Sequence, residues 1–523
     1  MVLPRARRTS EQIWVVIVAA LAASYVVAFV AVAIAHLRYP YEIDNLEGNL
    51  LAMCERVLHG EPLYAQPSVD YTAFCYPPLY FYLGAAVMRV LGPGYLALRL
   101  ISVVATLSTA AMIYAVLRRH AVRPSLSLVA AAVFLGAFGR THYVGSAGRV
   151  DALALALALG SLALAFCAAA TRRNAVVAGG LAGLAMLTKQ PMVVLAAVAV
   201  GHAAVRGRRG WAATYAAAAG LAFVLVLAVM GLVGDPWLSF YSLTVPASHP
   251  LRVRSLVILG PVFAITTLPI ALAAVVRHRP SWRASLADPW SIATVAYLGM
   301  SMLARAKQGG SANVFLPLVA LAAIQLGRYA ERLRDLVPRA AMLGLAVQLA
   351  VLWWSPCAVW PTARDVARGD ELVARIAAIP GDVYVPAFPA YAVMAGKPWH
   401  AHYVGLCDVA RLDAQVGAEL AREIAQRRFE AVLPVTDLDP TDRGFCDLPA
   451  LAEHYHHTTT IEVAPHPPDL ALVVGGPQLF ALVHGGKLGP MFVPPRAPEQ
   501  RADADPLRDA TLAQRQAVSS AGH

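Results

Sequence analysis

Charge is scarce in this chain. Asp, Glu, Lys and Arg make up 14% of its 523 residues, whereas the surface of a soluble protein normally raises that share to about 25%. A single soluble enzyme is therefore excluded. Glycine, at 37, and proline, at 36, are not in excess, and no fixed-period repeat is visible, which removes collagen-like, solenoid and disordered classes. Cysteine is sparse, at six. What is abundant is apolar sequence: 58% of residues are hydrophobic and the mean hydropathy is +0.56. The composition is that of a polytopic membrane protein.

The net charge of +11 comes from 43 Lys and Arg against 32 Asp and Glu. The basic residues form short clusters between apolar runs, the mark of membrane topology and not of a nucleic-acid face, so no nucleic-acid partner is expected. The run from Ile13 to His36 is too long for a signal-peptide core and lacks a small-residue cleavage site, and reads as a first spanning helix. Eleven spans are predicted, at 13–36, 95–117, 125–141, 152–170, 175–188, 191–205, 211–233, 256–275, 289–304, 314–327 and 339–355. They put six basic clusters on one side: Arg5/Arg7/Arg8, Arg118/Arg119/Arg123, Arg172/Arg173, Arg206/Arg208/Arg209, Arg277/Arg279/Arg283 and Arg328/Arg332/Arg334/Arg339. Short cytoplasmic loops carry this excess, so the N-terminus (residues 1–12) is expected in the cytoplasm, with the chain in the plasma or inner membrane.

That agreement requires the apolar segment after Tyr76-Pro77-Pro78 to lie along the outer interface and not cross. Residues 77–91 are thus an interfacial helix in a large first external loop, 37–94, with Tyr76, Tyr80, Phe81 and Tyr82 at headgroup depth. After the membrane module (13–358), residues 359–493 read as a small extracytoplasmic α/β domain, with strands at Val383–Val385, Ala431–Val435 and Leu470–Val474 and a helix at Gln415–Arg427. Residues 494–523 read as a disordered tail.

Five polar places at the outer side escape the topology. The first is Tyr41-Glu42-Ile43-Asp44-Asn45-Leu46-Glu47-Gly48, directly after the first span. If one helix holds both Asp44 and Glu47, the two carboxylates share a face; the plainer alternative is a capping box. The second is Gly148-Arg149-Val150-Asp151, either functional or a self-neutralising boundary pair. The third is Lys189 of Thr188-Lys189-Gln190-Pro191, which runs against the positive-inside bias or simply snorkels. The fourth is loop 234–255, with Trp237, Phe240, Tyr241, His249, Arg252 and Arg254, and the fifth is Arg305-Ala306-Lys307 through Asn313. Carboxylates ringed by Lys and Arg at the membrane boundary point to an anionic lipid head group, held by charge-assisted hydrogen bonds, beside a group able to act as general base or hold a divalent cation.

The order Asp44…Glu47, Tyr76-Pro77-Pro78, Asp151, Thr188-Lys189, His249…Arg252 and Lys307…Asn313…Pro317 resembles the GT-C glycosyltransferases over residues 10–330. Within them it looks most like the lipid A aminoarabinose transferases and protein O-mannosyltransferases. The resemblance implies a sugar moved from a polyprenyl-phosphate donor, with inversion, to a lipid, protein or glycan acceptor on the outer side. It implies Asp44 as general base, with Glu47 as the other candidate because Asn45 stands where relatives carry a second acid. It further implies that Asp151 orients the acceptor or, with Asp44, holds a divalent metal ion. Arg149, Lys189, His249, Arg252 and Lys307 become candidates for the donor phosphate, and Tyr76, Tyr80 and Asn313 for the lining of the acceptor and lipid site. Relatives carry a lysine where Tyr76 stands, so Lys307 or Arg149 would take over its grip. A flippase or transporter, a ligase joining lipid-linked glycans and a binding-only relative are the competing readings; no matched broken halves favour the first.

Cys54 with Cys75, and Cys407 with Cys446, are candidate disulfides on the oxidising side, while Cys167 and Cys357 are expected to be packing residues. His400, His402 and His454-Tyr455-His456-His457 match no zinc spacing and are expected to be solvated.

Overall fold

The computed structural model describes residues 3–232, 237–251, 287–336, 338–433, 454, 456–462 and 487–493. The described chain is a helical bundle capped at one end by a smaller unit. The bundle helices are α1 (Leu3–Arg38), α4 (Tyr95–Arg119), α5 (Pro124–Gly136), α6 (Val150–Cys167), α7 (Arg172–Met186), α8 (Val193–Val205), α9 (Arg209–Leu232), α11 (Pro289–Ala306), α12 (Leu316–Leu336) and α13 (Pro338–Val351). Between α1 and α4 the first loop folds into α2 (Glu47–Leu58) and α3 (Leu79–Leu91), and a short α10 (Val245–Ser248) follows α9.

Among the described residues seven stretches are long and apolar enough to cross a membrane: Ile13–Arg38, Tyr95–Arg119, Pro124–Thr141, Val150–Cys167, Arg209–Met230, Ala312–Leu333 and Ala341–Ala358. Eleven were expected. Helices α7, α8 and α11 form where spans were read but are shorter or less apolar, and 256–275 lies outside the described residues. Helix α3, at 13 residues, falls short of the about 20 that a span needs. It is bounded by Pro78 and by Gly92, whose φ of 87° suits only glycine readily. Two of its aromatics depart from the interfacial expectation: Tyr80 and Phe81 are fully buried, and only Tyr82 is exposed.

Small residues set the closest packing. Gly179 and Gly183, four apart on α7, lie against α9, where a Cβ on either would press into the backbone carbonyls of Tyr215 and Ala219. This is the small-xxx-small contact by which helices approach closely in lipid. Ser161 of α6 completes the junction, donating to the Ala178 carbonyl at 2.7 Å and meeting the Tyr215 hydroxyl at 2.8 Å.

At one end of the bundle the basic loops meet: Arg123 pairs with Glu331 at 2.9 Å, Arg328 with Asp288 at 2.8 Å, and the Trp290 indole donates to His120 at 3.0 Å. Asp288 also caps α11 by accepting from Ser291 N–H at 2.9 Å. Since α4 runs from Tyr95 to Arg119, the loops that carry the candidate residues gather at the opposite end.

There the capping unit sits. It contains α14 (Ala363–Ala378), opened by a Thr362/Asp365 capping box, then β1 (Val383–Tyr384), α15 (Pro389–Met394), α16 (Tyr403–Ala410), α17 (Ala414–Ala425), β2 (Ala431–Val432), β3 (His456–Glu462) and β4 (Lys487–Val493). The sheet order is β1-β2-β4-β3, with β1 parallel to β2 and the other pairs antiparallel. Two expected strands and the expected helix match β1, β2 and α17; 470–474 and the tail from 494 lie outside the described residues.

The cysteine and histidine expectations need correction. Cys54 and Cys75 are separate thiols, Cys54 fully buried against α3, so no bridge joins them; Cys446 lies outside the described residues. His400 and His402 are not solvated but buried. His400 lies between Asp70 and Asp382, 2.8 Å from each, and His402 reaches the Asn45 carbonyl at 2.9 Å. Both rings thus join the cap to the first loop from buried positions.

Candidate active site

The loop leaving α1 carries three acids, and each ends in a different environment. Glu47 is the first residue of α2; its Oε2 accepts from Ile43 N–H at 2.9 Å, and its Oε1 from Gly148 N–H and from Arg99 Nε at 3.0 Å. Arg99 Nη2 adds a bond to Oε2 at 2.7 Å, and both side chains are 0% exposed. The same guanidinium donates to the carbonyls of His36, Tyr39 and Tyr41 and lies 4.8 Å from the Tyr95 ring centroid. Glu47 and Arg99 thus saturate one another and fix the turn between α1 and α2.

Glu42 is buried with neither oxygen in hydrogen-bond geometry with a described residue. Burial, then the nearby Glu47 charge, push its pKa well above the ordinary carboxylate range.

Asp44 precedes α2 in a turn: its carbonyl accepts from Glu47 N–H at 2.9 Å and its Oδ1 from Leu46 N–H at 2.9 Å. It therefore does not share a helical face with Glu47, because α2 starts only at Glu47. Asp44 Oδ1 also takes a 2.6 Å bond from Arg149 Nη1. Arg149 Nε is 3.7 Å from Asp151 Oδ2, so the arginine stands between the two acids, its main partner being Asp44. Although burial opposes its charge, Asp44 and the other neighbouring acids raise its pKa above the arginine norm. Asp151, at the start of α6, pairs through Oδ1 with Lys189 and accepts from Asn313 Nδ2 at 2.8 Å. Lys189 thus pairs with an acid and does not snorkel.

Five residues far apart in sequence, Asp44, Arg149, Asp151, Lys189 and Asn313, consequently form one cluster. Tyr76 borders it: the Arg149, Asp151 and Asp44 charges all reach its hydroxyl, whose pKa burial raises above the tyrosine norm. Tyr80 does not join them; it is buried against α4 with its hydroxyl 3.3 Å from the Leu98 carbonyl.

A second group lies to the side. Lys307 Nζ donates to the Pro246 carbonyl at 2.8 Å, and the backbones of Leu251 and Lys307 form an antiparallel bridge. His249 Nε2 is 3.1 Å from Asp408 Oδ1 of the cap. Cys75 lies between the groups: burial, then the Asp408 charge, push its thiol up to about 12, while Lys189 and Lys307 pull the other way. Arg252 lies outside the described residues.

Beside Gln190 opens an apolar cavity of about 330 Å³, walled by Pro77, Pro78, Leu187, Phe223 and Leu227. Gln190 lines it and ties its walls, donating to the Cys75 carbonyl at 2.7 Å and the Ser242 carbonyl at 2.9 Å.

The donor set does not suit a metal ion shared by Asp44 and Asp151. Each faces a cation of the protein itself, with Arg149 between them, and among the described residues no group of three His, Cys, Asp or Glu side chains could hold one.

Sequence reasoning missed Arg99, Glu42, Gln190 and His402. Arg99 carried a signal, a lone cation five residues into an apolar run, which marks a buried partner. Gln190 and His402 carried none, because their partners are remote in sequence, and Glu42 stood out from its neighbouring acids by nothing in the sequence.

Comparison with known proteins accords with this architecture. Residues 76–233 match the family model of dolichyl-phosphate-mannose-protein mannosyltransferase. The fold is similar to that of ArnT from Cupriavidus metallidurans in the apo state, at 14% identity over 80% of this chain and 94% of that one, with a TM-score of 0.53. The same protein bound to undecaprenyl phosphate matches at 15% identity over 79% and 93%, with a TM-score of 0.50. Archaeal oligosaccharyltransferase AglB from Archaeoglobus fulgidus is 11% identical over 83% of this chain and 73% of that one, with a TM-score of 0.49. No curated protein matches the chain by sequence. The described chain thus shares the fold of ArnT, and the family resemblance read from the residues is borne out by the match over 76–233.

Proposed function

We propose that this protein is a membrane glycosyltransferase that moves a sugar from a polyprenyl-phosphate donor to an acceptor hydroxyl. The observation that carries this reading is a buried acid–cation cluster one residue along the chain from an apolar cavity, Lys189 of the cluster preceding Gln190 of the cavity wall. A polyprenyl phosphate needs that pair of environments: cations for the phosphate and an apolar wall for the chain. The ArnT-like fold and the family match over 76–233 point the same way.

In this mechanism the acceptor oxygen attacks the anomeric carbon from the face opposite the phosphate, forming a C–O bond as the bond to the phosphate oxygen breaks. The configuration inverts. Asp44 takes the acceptor proton; its bonds to Arg149 and Leu46 both use Oδ1, leaving Oδ2 for the hydroxyl. Glu47 is the weaker candidate, since Arg99, Ile43 and Gly148 supply both of its oxygens with donors. Lys189 and Arg149 stabilise the charge growing on the leaving phosphate, with Lys307 and His249 at the flank, and Asp151 with Asn313 keeps Lys189 in place. By the positive-inside rule the end holding Arg123 and Arg328 faces the cytoplasm, so transfer occurs on the outer side.

The test is transfer of labelled sugar from polyprenyl-phosphate donors in reconstituted membranes. A well-placed base contributes about 10²–10⁴-fold, so Asp44→Asn should abolish detectable product while leaving the thermal midpoint near that of the native protein. Full activity in Asp44→Asn would remove Asp44 as the base; no transfer by the native protein from any polyprenyl-phosphate sugar would remove the reading itself.

A further inference from the structure

A second cavity, of about 430 Å³, lies away from the acid–cation cluster, between the end of α1, helix α2, the start of α4 and helix α15 of the cap. Its walls differ from those of the first. Arg38 and Glu55 both line it, and neither forms an ion pair with a described residue. Glu55 is partly withdrawn from water, which raises its pKa. The one nearby charge among the described residues that favours its ionised form is His59, a turn further along at the end of α2. The rings of Tyr95 and Trp399 face the same space, and the Trp399 indole N–H is buried without a hydrogen-bond partner among the described residues.

The apolar side of this cavity continues onto surface that should meet lipid. Leu96, one residue into the span Tyr95–Arg119, is 43% exposed. Across the cavity Val393 and Met394, on the cap helix α15, are 45% and 40% exposed. Apolar residues of an outer unit that lie level with the lipid-facing surface of a span mark contact with the bilayer. Tryptophan and tyrosine favour that same depth. Exposed apolar residues thus rim a cavity that also holds Arg38 and Glu55, and an occupant that covers both kinds of wall must be an amphiphile.

We propose that this cavity seats a zwitterionic phospholipid, its phosphate on Arg38, its ammonium between Glu55 and the Tyr95 and Trp399 rings, and its chains over Leu96, Val393 and Met394. The charges select the head group. A lone arginine on a purely apolar wall would accept any anionic lipid. The added carboxyl repels a second negative charge and favours a primary amine, and the aromatic rings supply cation–π attraction. The site requires no sugar donor and stands apart from the transfer reaction.

The experiment is native mass spectrometry of the delipidated full-length protein in detergent, titrated with phosphatidylethanolamine or with phosphatidylglycerol of the same acyl composition. The native protein should retain phosphatidylethanolamine about tenfold more tightly, equivalent to about 1.4 kcal/mol. Glu55→Gln should erase that preference by weakening phosphatidylethanolamine alone, whereas Arg38→Gln should weaken both lipids. Trp399→Leu should act like Glu55→Gln; if that variant does not fold, Glu55→Gln, on the surface of α2, still decides. Equal retention of the two lipids by the native protein, or an unchanged preference in Glu55→Gln, would overturn the proposal. Sugar transfer by Glu55→Gln should stay native, which separates failure here from failure of the transferase reading.

Discussion

Two arginine–carboxylate pairs stand a few residues apart, Arg99 with Glu47 and Arg149 with Asp44, and their surroundings assign them opposite tasks. In the first pair every lone-pair direction is filled: Glu47 accepts from two backbone amides and twice from Arg99, and Arg99 also binds three carbonyls. In the second, Arg149 is shared between two acids and Asp44 uses a single oxygen. A buried pair costs desolvation that only full satisfaction offsets. Saturation suits a rivet; incomplete saturation leaves capacity for a reacting group. Side-chain type alone does not separate structure from chemistry here, because both pairs share the same two functional groups.

The sharpest way to break this contrast is to exchange the readouts. Asp44→Asn should lower transfer by about 10²–10⁴-fold at a smaller cost in stability, since its amide oxygen still accepts from Arg149 and Asp151 still faces that arginine, while Arg99→Met should leave Glu47 charged and unpaired and lower stability by about 3–5 kcal/mol. Thermal midpoints in detergent, measured beside activity, check both; a stable Arg99→Met protein would put the two pairs in one class.

Acid should act on the turn beside Asp44 through His402. Its ring is buried, which depresses its pKa to about 4 from 6.5, while Nε2–H is held on the Asn45 carbonyl and Nδ1 accepts from Val404 N–H. The unfolded chain takes up this proton below pH 6.5 and the folded chain only near 4. The contribution is therefore complete above pH 6.5 and drains away as pH falls toward 4, by up to ~3 kcal/mol. Thermal midpoints taken from pH 7 to pH 4.5 should fall more steeply for the native protein than for His402→Gln, and equal slopes would contradict the assignment.

The smallest effect should come from far away, at the α7–α9 junction. Gly183→Val would drive a side chain into the Ala219 carbonyl and Ala222, with an expected loss of about 1–3 kcal/mol. Transfer per folded molecule should be unchanged, since no cluster residue lies on that face. A specific-activity loss larger than the loss of folded protein would extend the working part of the molecule to this junction.

The helices were legible where apolar length and basic punctuation act together, as from Ile13 to His36 or from Tyr95 to Leu117. Legibility fell for α7 and α11, because Gly-rich or polar-flanked segments are apolar enough to bury against neighbours without being long enough to cross alone. At the site, Asp44, Arg149, Asp151, Lys189 and Asn313 were each visible as charges or amides misplaced for the topology. Their mutual pairing was not visible, since separations such as 105 residues between Asp44 and Arg149 leave no local trace. The histidines show the converse error: polarity in a loop-like stretch suggested solvent for His400 and His402, yet their partners Asp70, Asp382 and Asn45 bury them.

The hydrogen bond from His402 to Asn45 spans 357 positions of chain, and this sets an order of events during biosynthesis. A ribosome emits Asp44 among the first residues and His402 long after the last of the seven apolar stretches. A nascent chain halted at residue 399 would already carry every described residue of the cluster, yet the turn beside Asp44 would lack the clasp that the cap supplies. The clasp beside Asp44 therefore closes only after every one of those stretches has been made.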